Sequence, residues 1–171
     1  MNEEFFKRDY FIYGEHSKQL TALKNDTDTV EENKKLFNRN LDIFLLAPIV
    51  GFIYKRKAEK DKNTEAKTTI NSSQLINEKE RIEYNYQLIM LLDEKNEEDF
   101  NKRVDKAFRC SNEKDLELFN SYVRGGIEIL YEEIIKKSPT SENYIENFYK
   151  FIDEFQAVYG EKDCETVFKM Y

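Results

Sequence analysis

The chain has no tryptophan, five glycines, two prolines, two cysteines and one histidine in 171 residues. Each shortage excludes something. So little Gly and Pro leaves too few turn positions for a β-sandwich or barrel and favours long helices. A single histidine, His16, removes most metal and general-base schemes, and there is no His-Glu-x-x-His, Cys-x-x-Cys, phosphate-loop or Gly-x-Ser-x-Gly pattern. A lone His in a helical stretch is expected to face solvent or to cap, not to act as a base. Cys110 and Cys164 share no short spacing with each other or with His16, so they are expected as free thiols in a reducing cytoplasm. The opening MNEEFFKRDY places acids before bases and has no apolar stretch, so no signal peptide is expected.

What is abundant points to a folded helical protein. Charged residues make up 36% of the chain, yet 13 Phe and 11 Tyr are too many large apolar groups for disorder. The length suits a single domain, residues 1–171, able to bury roughly 70% of its unfolded surface. Twelve residues from Ile43 to Tyr54 carry no charge, between Asp42 and the run Lys55, Arg56, Lys57. A bilayer needs about 20 apolar residues, so this run reads as a buried helix rather than a membrane span. The expected fold is all-α: a compact multi-helix domain around a central apolar helix at about 41–54, with one short extended piece near 68–70.

Periodicity supplies the other elements. Residues 11–24 read as a helix around Gly14, and Thr29 with Glu32 has capping-box spacing for a short helix. Pro48 removes a backbone hydrogen bond inside the central helix, which predicts a kink or break near Ala47. Residues 58–72 are charged, lack a core face and are expected as a flexible loop. A helix follows from Ser73 to Asp93. Phe100, Val104 and Phe108 then give i, i+4, i+8 spacing for a short helix ending near Arg109. Ser111 is expected to cap a long helix to Lys137 ended by Pro139, and Ser141 a last one with an aromatic stripe, stopped by Gly160.

Four features stand out as candidate sites. Lys55, Arg56, Lys57 and Lys60 follow the apolar helix and suit phosphate or partner contact, or the negative end of the helix dipole. Arg124-Gly125-Gly126 is unusual inside a helix, where each Gly costs about 1 kcal/mol relative to Ala. Close helix packing is one reading; a kink that aims Arg124 at an anion is the other. Pro48 and Gly51 join Gly125 and Gly126 as packing or kink positions. Carboxylate runs such as Glu97-Glu98-Asp99 read as solvated faces, so no catalytic residue, metal site or cofactor is expected. The last 61 residues hold 13 acids and 7 bases within a net charge of −7, which disfavours broad DNA binding.

Two segments together resemble a known group. Leu36-Phe37, Asp42-Ile43-Phe44, Ala47, Gly51-Phe52 and Lys55-Arg56-Lys57 form one block; Phe119, Tyr122 and Gly125-Gly126-Ile127-Glu128-Ile129-Leu130 form the other. About half the chain is similar in this way to the small accessory proteins of bacterial DNA-phosphorothioation (Dnd) and related phage-defence operons. The resemblance implies a cytoplasmic helical component beside DNA-modifying or DNA-cleaving partners, with no catalytic residues to carry over. The leading expectation is a non-enzymatic accessory or adaptor subunit acting through protein contacts, without membrane association. A DNA-binding regulator using residues 55–67 and an enzyme with an acidic metal site are the alternatives.

Overall fold

A computed structural model describes residues 3–24, 36–109, 112–138, 140 and 143–159. The elements run α1 (Glu3–Phe6), β1 (Tyr10–Tyr13), α2 (Gly14–Lys24), α3 (Asn40–Ile53), β2 (Lys67–Ile70), α4 (Ser72–Asn77), α5 (Lys79–Leu92), α6 (Phe100–Phe108), α7 (Glu113–Leu130), a π-helical stretch Tyr131–Lys136, and α8 (Tyr144–Tyr159). Helix dominates, and the extended piece expected near 68–70 is β2. Contacts gather in two units, Met1–Tyr131 and Glu132–Tyr171.

In the first unit the most apolar helix, α3, lies along α7, with Phe44 set edge-on against Phe119 (6.3 Å between centroids) and Phe52 against Tyr122 (5.5 Å). Leu41, Ile43, Phe44, Ala47 and Val50 of α3 are buried with Phe119, Val123, Ile127 and Leu130 of α7. The approach is set by glycine. A Cβ on Gly51 would fall 2.1 Å from the Tyr122 carbonyl oxygen, and one on Gly126 would fall 1.8 Å from that of Ala47. The two backbones therefore touch where side chains would normally hold them apart.

Several expectations are corrected. The central helix is one unbroken element from Asn40 to Ile53 with Pro48 buried inside it. Burial of nearly the whole helix offsets the one hydrogen bond that the proline ring removes. The segment 11–24 is not one helix: Tyr10–Tyr13 pairs antiparallel with β2 in the register Tyr10↔Ile70, Phe11↔Thr69, Ile12↔Thr68 and Tyr13↔Lys67. Its aromatic and β-branched residues suit a strand, with Ile12 buried and Phe11 out, and Gly14 turns the chain at φ +61°. The predicted 73–93 helix is two, separated at Glu78.

Residues 58–66 have no regular structure, and hydrogen bonds join them to α2 and α7. Ala58 N–H donates to the Ser121 carbonyl (3.0 Å), the Gly14 N–H to that of Ala66 (2.8 Å), and Asp61 Oδ2 accepts the Glu15 N–H (2.8 Å). Asp61 thus serves as a cap for α2 from 46 positions away. The cap of α7 is Asn112, whose side chain accepts the N–H groups of Lys114 (2.9 Å) and Asp115 (3.0 Å). Ser111, Thr29, Pro139, Ser141, Gly160 and both cysteines lie outside the described residues.

Helix α6, Phe100–Phe108, turns its apolar row outward. Arg103 and Ala107 face inward, while Phe100 and Phe108 are 60% and 58% exposed and Val104 is half-buried. The cause is polar. The Arg103 guanidinium donates from Nη1 to the carbonyls of Glu97 (2.9 Å) and Glu98 (3.0 Å) and from Nη2 to Glu94 (3.1 Å). These groups belong to the turn between α5 and α6, where unpaired carbonyls would cost about 1–3 kcal/mol each.

The helix expected to run to Lys137 changes to π-helical geometry after Leu130; in the second unit, α8 has Phe151 buried and its ring 6.3 Å from that of Phe155. Ser138 links the two elements of this unit: its hydroxyl donates to the Ile134 carbonyl (2.6 Å) and accepts from Asn147 Nδ2 (2.8 Å).

Candidate functional site

The basic run begins at the end of α3, in a turn that explains its geometry. Lys55 N–H donates to the Phe52 carbonyl (3.0 Å) and Arg56 N–H to that of Gly51 (2.9 Å), the two bonds of a Schellman cap. The residue at the left-handed position of such a cap is usually glycine. Here it is Lys55, at φ 56°, a conformation that costs a non-glycine residue about 1 kcal/mol. The turn sends the chain back along α7. A Cβ on Gly125 would lie 2.1 Å from the Arg56 carbonyl oxygen, so Gly125 admits this segment as Gly126 admits α3.

The cations then diverge. Lys55 is exposed and Arg56 half-buried. Lys57 bonds Asn96 Oδ1 (3.0 Å) and lies 5.6 Å from the Tyr122 ring centre. Lys60 lies 5.4 Å from that of Tyr13. Arg124 does not join them on the surface: it is buried, donates from Nε to the Ala58 carbonyl (2.9 Å) and pairs with Glu117. Lys60 and Arg124 nevertheless line one small cavity of about 140 Å³, with Tyr10, Tyr13, His16, Asp61 and Asn120.

His16 is inside this wall, not facing solvent as expected for a lone surface histidine. Its Nε2 is 3.1 Å from Glu128 Oε1, joining α2 to α7, and its buried Nδ1 has no hydrogen-bond partner among the described residues. Burial pushes the Tyr10 hydroxyl well above its ordinary range; it donates to Asn120 Oδ1 (3.0 Å). The N–H groups of Glu15 and Asn63 hold the Asp61 carboxyl below the usual carboxylate range. Beside Lys57, Tyr122 donates to buried Asp93 (2.7 Å); burial, then this bond and the charge of Asp93, raise the Tyr122 hydroxyl strongly. Arg124, Tyr10, Tyr122 and Asp93 are thus engaged with other side chains or with backbone. Among the described residues no group of three or more His, Cys, Asp or Glu is placed to hold a metal ion.

Sequence reasoning missed one concavity. A groove of about 400 Å³ opens between α3 and α5, lined by Leu45, Leu46 and Ile49, by Tyr84 and Asn85, and at its rim by charged residues that include Asp42 and Arg81. Leu46 and Ile49 stay half-buried there, and Tyr84 is 64% exposed. The available signal was a helix apolar nearly all round, which has more greasy surface than α7 and α5 cover. Among the described residues no helix is long and apolar enough to cross a membrane.

A family model described as DNA sulphur modification system-associated protein 4 matches residues 15–165. The chain belongs to this family. It is therefore an accessory protein of the Dnd system, as the two sequence blocks suggested, and the match extends beyond them in both directions. No curated protein and no solved structure matches the chain.

Proposed function

We propose that this Dnd-associated protein is a non-enzymatic accessory subunit that works by protein contact with other components of its DNA sulphur modification system, in the cytoplasm and in defence against phage. The observation that carries the reading is the family match over 15–165. The side chains support it: the buried polar groups that resemble chemistry are spent on the fold, Arg124 on Glu117 and a carbonyl, Tyr122 on Asp93. The half-covered α3–α5 groove supplies the kind of apolar surface that a component of the same system would cover.

The test is co-expression of the tagged chain with the other proteins of its system. The wild type is expected to co-purify with at least one of them in defined stoichiometry, and Leu46→Glu with Ile49→Glu to lose it while keeping native helicity. The purified chain is expected to show no turnover of DNA or nucleotides with any divalent metal. Metal-dependent cleavage abolished by one acid-to-alanine change, or failure to associate with any component, overturns the reading.

A second reading, direct DNA contact, is favoured by one observation: Lys55 holds the left-handed position with its ammonium exposed, although glycine would sit there more easily. Weak DNA binding with a log–log salt slope of about −2 to −3, lost in Lys55→Ala/Arg56→Ala/Lys57→Ala, would establish it. Binding unaffected by that variant would remove it.

A further inference from the structure

Helix α6 turns its apolar ridge to solvent, and we infer that the ridge Phe100, Val104, Phe108 is a self-association face that pairs antiparallel with the same ridge of a second copy of the chain. The proposal goes beyond the accessory reading and does not depend on it. Phe100 and Phe108 are more than half exposed, in a helix whose inner side is occupied by Arg103 and Ala107. Two large aromatics and a valine in a single i, i+4, i+8 row form a continuous ridge of about 12 Å at 1.5 Å per residue.

The occupant follows from self-complementarity. Such rows from two helices interdigitate in the commonest packing class, with axes crossing at about −50°. With Val104 on a two-fold axis, an antiparallel pair sets Phe100 of one copy against Phe108 of the other. It also brings Asp99, the acidic N-cap, toward Arg109 of the second copy, which pairs with Asp105 of its own helix (2.8 Å) and whose side chain is still 72% exposed at the other end. Opposed helix dipoles favour the same direction, and a two-fold interface requires one patch to match itself in this way. One ridge on a nine-residue helix is smaller than the roughly 800 Å² per partner of a standard interface. The association is accordingly reversible and concentration-dependent.

The experiment uses the full chain. Sedimentation equilibrium of the wild type should show a monomer–dimer equilibrium, weakened at least tenfold by Phe100→Asp or Phe108→Asp. Phe100→Ser with Phe108→Ser serves if either charged variant loses helicity. In a Cys110→Ser/Cys164→Ser background with added oxidant, Val104→Cys should give a disulfide-linked dimer. Phe100→Cys and Phe108→Cys should each stay monomeric alone and cross-link when mixed. A monomer at every concentration, or a dimer that all these substitutions leave intact, overturns the inference. So does a ridge that binds another component of the system while the chain stays monomeric.

Discussion

The pairs α3–α7 and α5–α6 are both helices packed side by side, and they are built on opposite terms. Between α3 and α7 the packing is apolar along most of its length and even Cβ atoms are absent at two positions, so that Gly51 and Gly126 bring backbone against backbone. In the α5–α6 arm the inward positions of α6 include an arginine, and the two phenylalanines of α6 are outside. Burying a Phe side chain is worth about 1.5–3 kcal/mol. Arg103 serves two turn carbonyls and a carboxylate at once, each worth a comparable amount, and it can do so only from the inner face. Hydrophobicity decides orientation where the neighbouring backbone is already satisfied; where a turn leaves carbonyls open, hydrogen bonding decides.

The glycine seam is where the contrast breaks most sharply. Gly126→Ala places a carbon within 1.8 Å of the Ala47 carbonyl oxygen, so the helices must part, at a cost of about 3 kcal/mol or more. Urea unfolding should show loss of most of the stability, and Gly51→Ala should do nearly the same. If either variant melts with the wild type, backbone contact does not hold the core together.

On the other side, Arg103→Leu should cost about 2–4 kcal/mol by leaving the Glu97 and Glu98 carbonyls unpaired, although leucine is the more apolar residue. A stabilised variant would show that α6 faces inward by its aromatics after all. Phe100→Ser should change stability by less than about 0.5 kcal/mol, because this ring is mostly in water. A larger loss at low concentration would place Phe100 in the monomer core.

Tyr122→Phe probes the seam's polar edge. It removes the donor to buried Asp93 and should cost about 1–3 kcal/mol in thermal melts. Smallest is the effect of Asp61, whose carboxyl titrates lower when folded than when unfolded because it accepts two backbone N–H groups. Its stabilisation is therefore present above the ordinary carboxylate range and is lost as pH falls through the depressed folded value. Melts from pH 7 down to pH 2 should show this loss in the wild type and a shallower acid limb in Asp61→Asn. Equal limbs would mean that the cap adds nothing.

How much was legible follows from where each signal resides. The uncharged run Ile43–Tyr54 announced a buried helix by itself, because twelve such residues are too few to span a bilayer and must be hidden in a core, and the i, i+3, i+4 rows placed α7 and α8 nearly as observed. Gly125-Gly126 flagged a close approach without saying to what. The strand Tyr10–Tyr13 was not legible, since four residues beside a glycine become a strand only when Lys67–Ile70, more than 50 positions later, supplies the hydrogen bonds. Asp61 as the cap of α2 and His16 against Glu128 were hidden for the same reason. Lys55, Arg56, Lys57, Lys60 and Arg124 read as contact residues because sequence shows charge but not direction, and the fold turned Arg124 inward. By itself, then, the sequence determined the helical class, the central helix and the family blocks, all of which depend on local pattern. Only the tertiary structure decided which face of α6 meets water and which polar groups are consumed, because hydrogen bonds between distant segments are formed in space and leave no periodicity in the chain.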